Sequence, residues 1–371
     1  MNKGGAGILE KLTVVDYRNI QRAKLLFSPN QNILFGENAQ GKTNLLEVIY
    51  LLATGRSFRT TRIEDIFPWI GGHPKIRGEF KEAQQDLTIE VEISPERKIA
   101  RINGDEKARL AGLLGFNQVI EIIPQDVLLI DGEPSRRRRF LDIGISQWDA
   151  VYYKHLSKYQ QALKQRNSAL GQGMDLTRDR LRIWNKILED HGAYLIWQRK
   201  RVVRQLQEQL QCLYPEMVQK DEKGEVFYRS ALAAEDIDAV KDEFCIKLLE
   251  SESKDMTVGF TTVGPHRDDL CLMVQSREAK SFASEGQKRT LVIALKLALG
   301  FFLKETEGKN PIFVLDDVLT QLDEIRRKGL MASLSAHQSF ISVTSAEFHG
   351  DLVREGKWFQ VKGGEFSEYR N

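Results

Sequence analysis

The chain contains an octapeptide that few folds accommodate: Gly36-Glu37-Asn38-Ala39-Gln40-Gly41-Lys42-Thr43, which matches G-x-x-x-x-G-K-[ST]. It follows the apolar run Ile33-Leu34-Phe35 and opens Asn44 to Leu52, whose pattern predicts a helix. Strand, glycine turn and helix form a cradle in which backbone N–H groups curl around phosphate oxygens and the helix dipole adds to their pull. Lys42 supplies a point charge for the β- and γ-phosphates, and the Thr43 hydroxyl is a ligand for Mg2+. The candidate nucleotide-binding residues are Gly36, Glu37, Asn38, Ala39, Gln40, Gly41, Lys42, Thr43 and Asn44.

A strand ending in acids would complete such a site. Pro311-Ile312-Phe313-Val314-Leu315-Asp316-Asp317 is an apolar run that delivers two carboxylates at its C-terminal edge, where open α/β sheets bind ligands. Asp316 is the candidate Mg2+ ligand beside Thr43, and Asp317 the group that orients or deprotonates an attacking water.

The rest of the chain divides by pattern. Ile8 to Phe35 reads as strands, and Lys75 to Asn103 as a second β-rich stretch closed by the hairpin signal Asn103-Gly104. From Arg136 to Leu213 almost everything has helical spacing, broken at Gly171-Gln172-Gly173 and ended by Pro215. Tyr152, Tyr153, Tyr159 and Trp184 fit the core of this arm better than a stacking platform. After Met256, β and α patterns alternate again, with Phe340-Ile341-Ser342-Val343 a candidate buried strand. Three parts follow: 1–132 and 257–371 as two α/β lobes, and 133–256 as a helical insert.

Net charge is +2, yet residues 134–215 hold 16 Lys and Arg against 7 Asp and Glu. That asymmetry suits a polyanion near the insert and equally suits solvated helices. Arg136 to Arg139 open a helix, where positive charge opposes the dipole, so a partner is expected, either acidic side chains or DNA. No run reaches the ~18 apolar residues of a membrane span. The 3 cysteines, widely spaced, argue against a disulfide framework or zinc site, so a cytoplasmic protein is expected.

Two further elements carry a resemblance. Ala283-Ser284-Glu285-Gly286-Gln287-Lys288-Arg289, before the apolar stretch Thr290 to Leu303 (broken by Lys296), resembles the signature motif of ABC and SMC-like ATPases. Leu322-Asp323 looks like their D-loop. The resemblance implies a bilobal P-loop NTPase head of ABC/SMC type with an inserted helical arm. It also implies an ATP-dependent homodimer in which Ser284, Gly286, Gln287 and Asp323 of one copy reach the nucleotide of the other.

Within that group the chain resembles the RecF family. Tyr17-Arg18-Asn19, Lys42 to Glu47, Gly55-Arg56-Ser57-Phe58-Arg59-Thr60, Gly132-Glu133-Pro134-Ser135 with Arg137, Arg138 and Phe140-Leu141-Asp142, and Gly264-Pro265-His266-Arg267-Asp268-Asp269 are similar to motifs of that family. The resemblance implies ATP and Mg2+ as cofactors and a weak, DNA-stimulated ATPase that clamps duplex or gapped DNA. It further implies action with RecR and RecO in loading RecA, in support of gap repair and the SOS response. Arg56, Arg59, Arg137 and Arg138 are the candidate DNA contacts.

Several positions depart from the wider superfamily. Ala39 replaces a frequent glycine, a change expected to be tolerated where φ is negative. Asp317 stands where ABC proteins carry glutamate, which implies slow turnover, and Ser345 falls where their switch histidine would lie. The Q-loop residue is Gln125 or Asp126. His266 and Arg267 are either nucleotide contacts or a structural turn. Rival readings are another ABC-type ATPase, whether a transporter subunit or a nuclease-coupled relative. DNA binding rather than membrane binding separates the first, and no second acidic cluster supports the other.

Overall fold

The computed structural model describes residues 7–68, 71–82, 86–107, 109–172, 178–218, 222–344 and 356–369. Two compact units emerge. The first comprises 1–127, 209–223 and 284–371, the second 128–208 and 224–283.

The first unit holds two sheets. One is antiparallel, in the order β2 (Ile20–Leu26), β1 (Ile8–Tyr17), β4 (Lys75–Lys81), β5 (Leu87–Ile93), β6 (Lys98–Ile102), β7 (Asp105–Lys107). Burial alternates strictly along β5, as its period-two pattern requires, with Leu87, Ile89, Val91 and Ile93 inside. Asn103 and Gly104 take positive φ of 50° and 88°, the conformation of a tight hairpin turn. The second sheet runs β15 (Glu365–Tyr369), β14 (Lys357–Lys362), β3 (Gln31–Phe35), β13 (Ser339–Val343), β12 (Ile312–Asp316), β8 (Val119–Ile122), parallel from β14 to β8. Its central strands β3 and β13 are buried throughout, on both faces, so Ile33-Leu34-Phe35 and Phe340-Ile341 show no period-two alternation.

Helix α1 (Lys42–Thr54) packs against the core of both sheets, burying Leu45, Leu46, Val48, Ile49 and Leu52 with Leu12, Ile89, Val314 and Phe340. Helix α8 (Glu285–Glu307) is apolar nearly all round and buried to match, and α9 (Glu324–Leu334) follows β12.

The second unit contains α2 (Leu128–Asp131), α3 (Pro134–Ser146), α4 (Ala150–Gly171), most of α5 (Arg178–Glu216), α6 (Ile237–Val258) and α7 (Ala279–Phe282). It also holds a sheet of three strands, β11 (Arg277–Glu278), β10 (Asp269–Val274) and β9 (Gly224–Arg229). Tyr152 and Tyr159 are buried in its interior.

These units differ from the parts expected by pattern. Residues 257–283 belong with the helical unit, because β10 pairs along its whole length with β9. Residues 209–223 belong with the first unit, where Gln209 donates from Nε2 to Glu305 Oε1 at 2.8 Å. Among the described residues, no helix is long and apolar enough to cross a membrane.

Candidate nucleotide site

The phosphate loop joins β3 to α1 at the C-terminal edge of the parallel sheet, and β12 delivers Asp316 and Asp317 to the same edge. Thr43 Oγ1 lies 2.9 Å from both carboxylate oxygens of Asp316. Ser342, directly opposite Asp316 in the parallel register, donates from Oγ to Asp316 Oδ1 at 2.8 Å and accepts from Asp317 N at 2.9 Å. Burial raises the Asp316 pKa, while the hydroxyls of Ser342 and Thr43 oppose the rise. Lys42 is buried, and its Nζ donates to Gly36 O and to Glu37 O, the latter at 2.7 Å. Burial lowers its pKa, and the carboxylates of Asp317 and Asp316 pull the other way.

The loop is braced from outside. Gly364 N and Gly363 N, in the turn between β14 and β15, donate to Gln40 O (2.8 Å) and Gln40 Oε1 (2.7 Å). Asn19 donates to Gln40 O at 3.2 Å and accepts from Asn44 Nδ2 at 2.7 Å. Gly36 has φ +152°, and a Cβ there would collide with Val361 O. Ala39 overturns its expectation. Its φ is +63°, left-handed, since a loop that turns successive N–H groups inward alternates backbone hand. Asp317 is also left-handed, at φ 50°, which aspartate tolerates better than most residues.

Glu47, fully buried one turn into α1, ties three motifs together. It accepts from Arg18 at 2.6 Å and 2.9 Å and from Ser57 Oγ, and it lies 3.8 Å from Arg59. Arg59 in turn donates to Asn44 Oδ1 at 2.7 Å. Arg56 and Arg59 are both exposed.

The remaining candidates fall elsewhere. Ser284 is the N-cap of α8 in a capping box with Gln287: Ser284 N donates to Gln287 Oε1 at 2.9 Å and Ser284 Oγ accepts from Gln287 N at 3.3 Å. Ser284 remains exposed, Gly286 half-buried. Asp323, also exposed, caps α9 by accepting from Arg326 N at 2.9 Å. Gln125 is exposed, whereas Asp126 Oδ1 lies 2.7 Å from Lys296 Nζ, so Gln125 is the freer of the two Q-loop candidates. Ser345 lies outside the described residues.

Arg137 requires a correction. Its guanidinium is buried, pairs with Asp269 at 2.7 Å and 2.9 Å and donates to the carbonyls of Leu129 and Gly132. It closes the helix end before α3 instead of facing solvent. Arg138, half-buried, donates to Asp268 O at 2.9 Å, while Arg136 and Arg139 are exposed. The acidic alternative for this run is therefore met inside the unit for Arg137. His266 and Arg267 form a structural turn: the ring of His266 contacts Tyr159 Oη at 2.7 Å and Thr261 O at 3.0 Å, and Arg267 also donates to Thr261 O.

Two features of the site escaped the sequence reading, one hydroxyl and one turn. Ser342 could have been found as the hydroxyl inside the run Phe340-Ile341-Ser342-Val343, and the Gly363-Gly364 turn as a hairpin signal.

The donor set suits the expected cofactors. A threonine hydroxyl and a carboxylate are hard oxygen ligands of the kind Mg2+ takes, and a buried ammonium among loop carbonyls suits phosphate oxygens.

Comparison with known proteins agrees. The family described as RecF/RecN/SMC N terminal domain matches residues 8–349. A DNA replication and repair protein RecF from Oceanobacillus iheyensis is 33% identical over 367 residues, covering 96% of this chain and 99% of that protein. One from Lysinibacillus sphaericus is 34% identical over 364 residues, covering 96% and 98%. A solved structure described as recombination mediator protein RecF-ATP in the RecFOR pathway has TM-score 0.90 at 30% identity, covering 98% of each chain. An Smc head domain from Pyrococcus furiosus, at 14% identity and TM-score 0.56 over 98% and 96% of the two chains, bears on the fold alone. With the phosphate loop and acidic strand joined in an ABC/SMC-type P-loop fold, and with such relatives along nearly its whole length, the chain belongs to the RecF family.

Proposed function

We propose that this chain is an ATP-dependent DNA-binding protein of replication and repair, in which two copies close on two nucleotides and clamp duplex or gapped DNA through its backbone phosphates. The observation that carries this reading is the meeting of Thr43 with Asp316 at 2.9 Å. It is supported by relatives named for DNA replication and repair and by an ATP-bound one.

In this reading Gly36 to Asn44 hold the triphosphate, with Lys42 on its charged end. Thr43 and Asp316 would hold Mg2+, which when bound would neutralise phosphate charge. Asp317, its backbone N–H held by Ser342 and its Oδ1 accepting from Thr320 Oγ1 at 3.1 Å, orients the attacking water and accepts its proton. A carboxylate one carbon shorter than glutamate reaches less far, so hydrolysis is slow and acts as a switch that reopens the clamp. Gln125 faces the nucleotide from the same copy. Ser284, Gly286, Gln287 and Asp323 face it from the second copy. Exposed Arg56 and Arg59 are DNA contacts, joined by Arg136 and Arg139. RecR and RecO are the expected partners, with RecA loaded downstream in the cytoplasm, because a relative is described within the RecFOR pathway.

Light scattering with and without ATP and DNA tests this. The mass should double only with ATP, and DNA should stabilise the doubled form. A mass indifferent to ATP overturns the clamp.

A further inference from the structure

The buried stretch of α8 carries one charge that the site does not use. Lys296 interrupts Thr290 to Leu303, is 3% exposed at its side chain, and is paired twice: Nζ lies 2.7 Å from Asp126 Oδ1 and 3.0 Å from Glu121 Oε1. It also donates to Glu121 O at 2.7 Å. Asp126 Oδ2 accepts from Ile123 N at 2.7 Å, closing the turn that presents Gln125. Lys296 thus reaches from the signature helix to the C-terminal end of β8 and the Gln125 turn, all within the first unit.

Stability is a poor reason for such an arrangement. Buried charges cost desolvation free energy, and the helix around position 296 is otherwise apolar and buried, Ile293, Leu295, Leu297 and Leu299 included. Buried charge pairs do carry register, because any other alignment leaves the charges unpaired. The surroundings show why register matters here. Pro124, Asp126, Arg289, Val292, Gln321 and Leu322 line one small cavity, so the Gln125 turn, the start of α8 and the residue before Asp323 border a common space that packing alone does not fill. Connectivity adds to this. The chain leaves the first unit after Val127, returns to it over 209–223, and re-enters it for the last time at Ser284.

We propose that Lys296 is a positioning residue: its paired carboxylates lock the Gln125 turn to the helix headed by Ser284, so that the group facing the chain's own nucleotide and those facing a partner copy's nucleotide are held as one piece. This rests on the ATP-sandwiched reading above. Lys296 touches no nucleotide and acts through Gln125 and Ser284.

The test replaces the Asp126–Lys296 pair by apolar residues, Asp126→Leu with Lys296→Met; Glu121, whose side chain is 21% exposed, keeps its carboxylate hydrated when Lys296 is gone. The double variant should melt close to the parent and bind a fluorescent ATP analogue within twofold of it. Its kcat should fall tenfold or more with KM unchanged, because binding is spared and alignment is lost. A folded double variant with kcat within twofold of the parent overturns the proposal. Should that variant not fold, Asp126→Asn, which keeps an acceptor for Ile123 N, replaces it with the same expectations. Hydrogen exchange without nucleotide supplies the independent arm. Amides of 123–127 and 284–288 should both exchange at least tenfold faster in the variant, while 292–303 stay as in the parent. Unchanged exchange at either segment overturns the proposal even if the parent neither dimerises nor hydrolyses ATP, an outcome that would itself sink the clamp.

Discussion

Thr43 and Asp316 stand 273 residues apart in the chain, yet the hydroxyl of one lies 2.9 Å from both carboxylate oxygens of the other. A hydroxyl on the first turn of α1 and an acid at the end of β12 meet because parallel strands present their C-terminal ends on one edge of the sheet. That edge gives two adjacent acids different surroundings. Asp316 accepts from Thr43 and Ser342, whereas Asp317, left-handed at φ 50°, accepts from Thr320 Oγ1 at 3.1 Å.

Asp316→Asn should weaken Mg2+-dependent ATP binding by tenfold or more, since it removes a charged oxygen ligand. Asp317→Asn should leave binding within twofold, cut turnover about 100-fold as loss of a general base does, and accumulate the dimer. Titration with a fluorescent ATP analogue, alongside single-turnover hydrolysis, compares them. Equal behaviour of the two variants would refute the division of roles.

Ser284 serves as helix cap and as candidate phosphate contact, and two substitutions separate these. Ser284→Asp keeps a good cap but sets a carboxylate against a partner's phosphate, so stability should hold while ATP-dependent dimerisation is lost. Ser284→Ala should lose about 1 kcal/mol of stability and still dimerise. Thermal melts and light scattering read the two effects. An Asp variant that dimerises normally would leave Ser284 a cap alone.

Among the arginines at the start of α3, Arg137→Ala should destabilise the protein by about 3 kcal/mol, because it removes the two-pronged partner of the largely buried Asp269 carboxylate, to which, among the described residues, only Arg229 at 3.3 Å and Leu270 N would still donate. It should leave the salt dependence of DNA affinity unchanged. Arg136→Ala and Arg139→Ala should be nearly neutral for stability, and each should reduce the slope of log affinity against log salt by about 0.9. Denaturant melts and DNA titrations at several salt concentrations decide. An unchanged slope in both exposed variants would remove α3 from the DNA surface.

His337, buried against Phe301 and Phe313, has its pKa lowered from 6.5 to about 4, chiefly by burial. The folded state excludes a proton that the unfolded chain binds below its own pKa. Stability from this group is therefore complete at neutral pH and declines as pH falls from about 6.5 towards about 4. His337→Phe, which preserves the ring contacts, should lose about 2 kcal/mol less than the parent between about pH 7.5 and pH 5. Urea melts at the two pH values measure the difference. Parallel losses in both proteins would mean His337 titrates normally.

Local pattern was enough for whatever depends on neighbours in the chain. The phosphate loop needs strand, glycines, lysine and helix in succession, and they are contiguous from Ile33 to Leu52. The period-two burial of β5 and the apolar run of β12 follow from where each strand lies, buried on one face or on both. Properties set by partners distant in sequence were not legible. Arg137 looked like a surface cation because Asp269, which neutralises it, lies far along the chain. Residues 257–283 looked continuous with the C-terminal lobe because β9, the strand that claims β10, precedes it across a long helix. Ala39 was assigned the wrong hand because the inward turn of its amides, not its own side chain, dictates φ. Ser342 became part of the site only through parallel register with Asp316, and register exists only once two strands have paired.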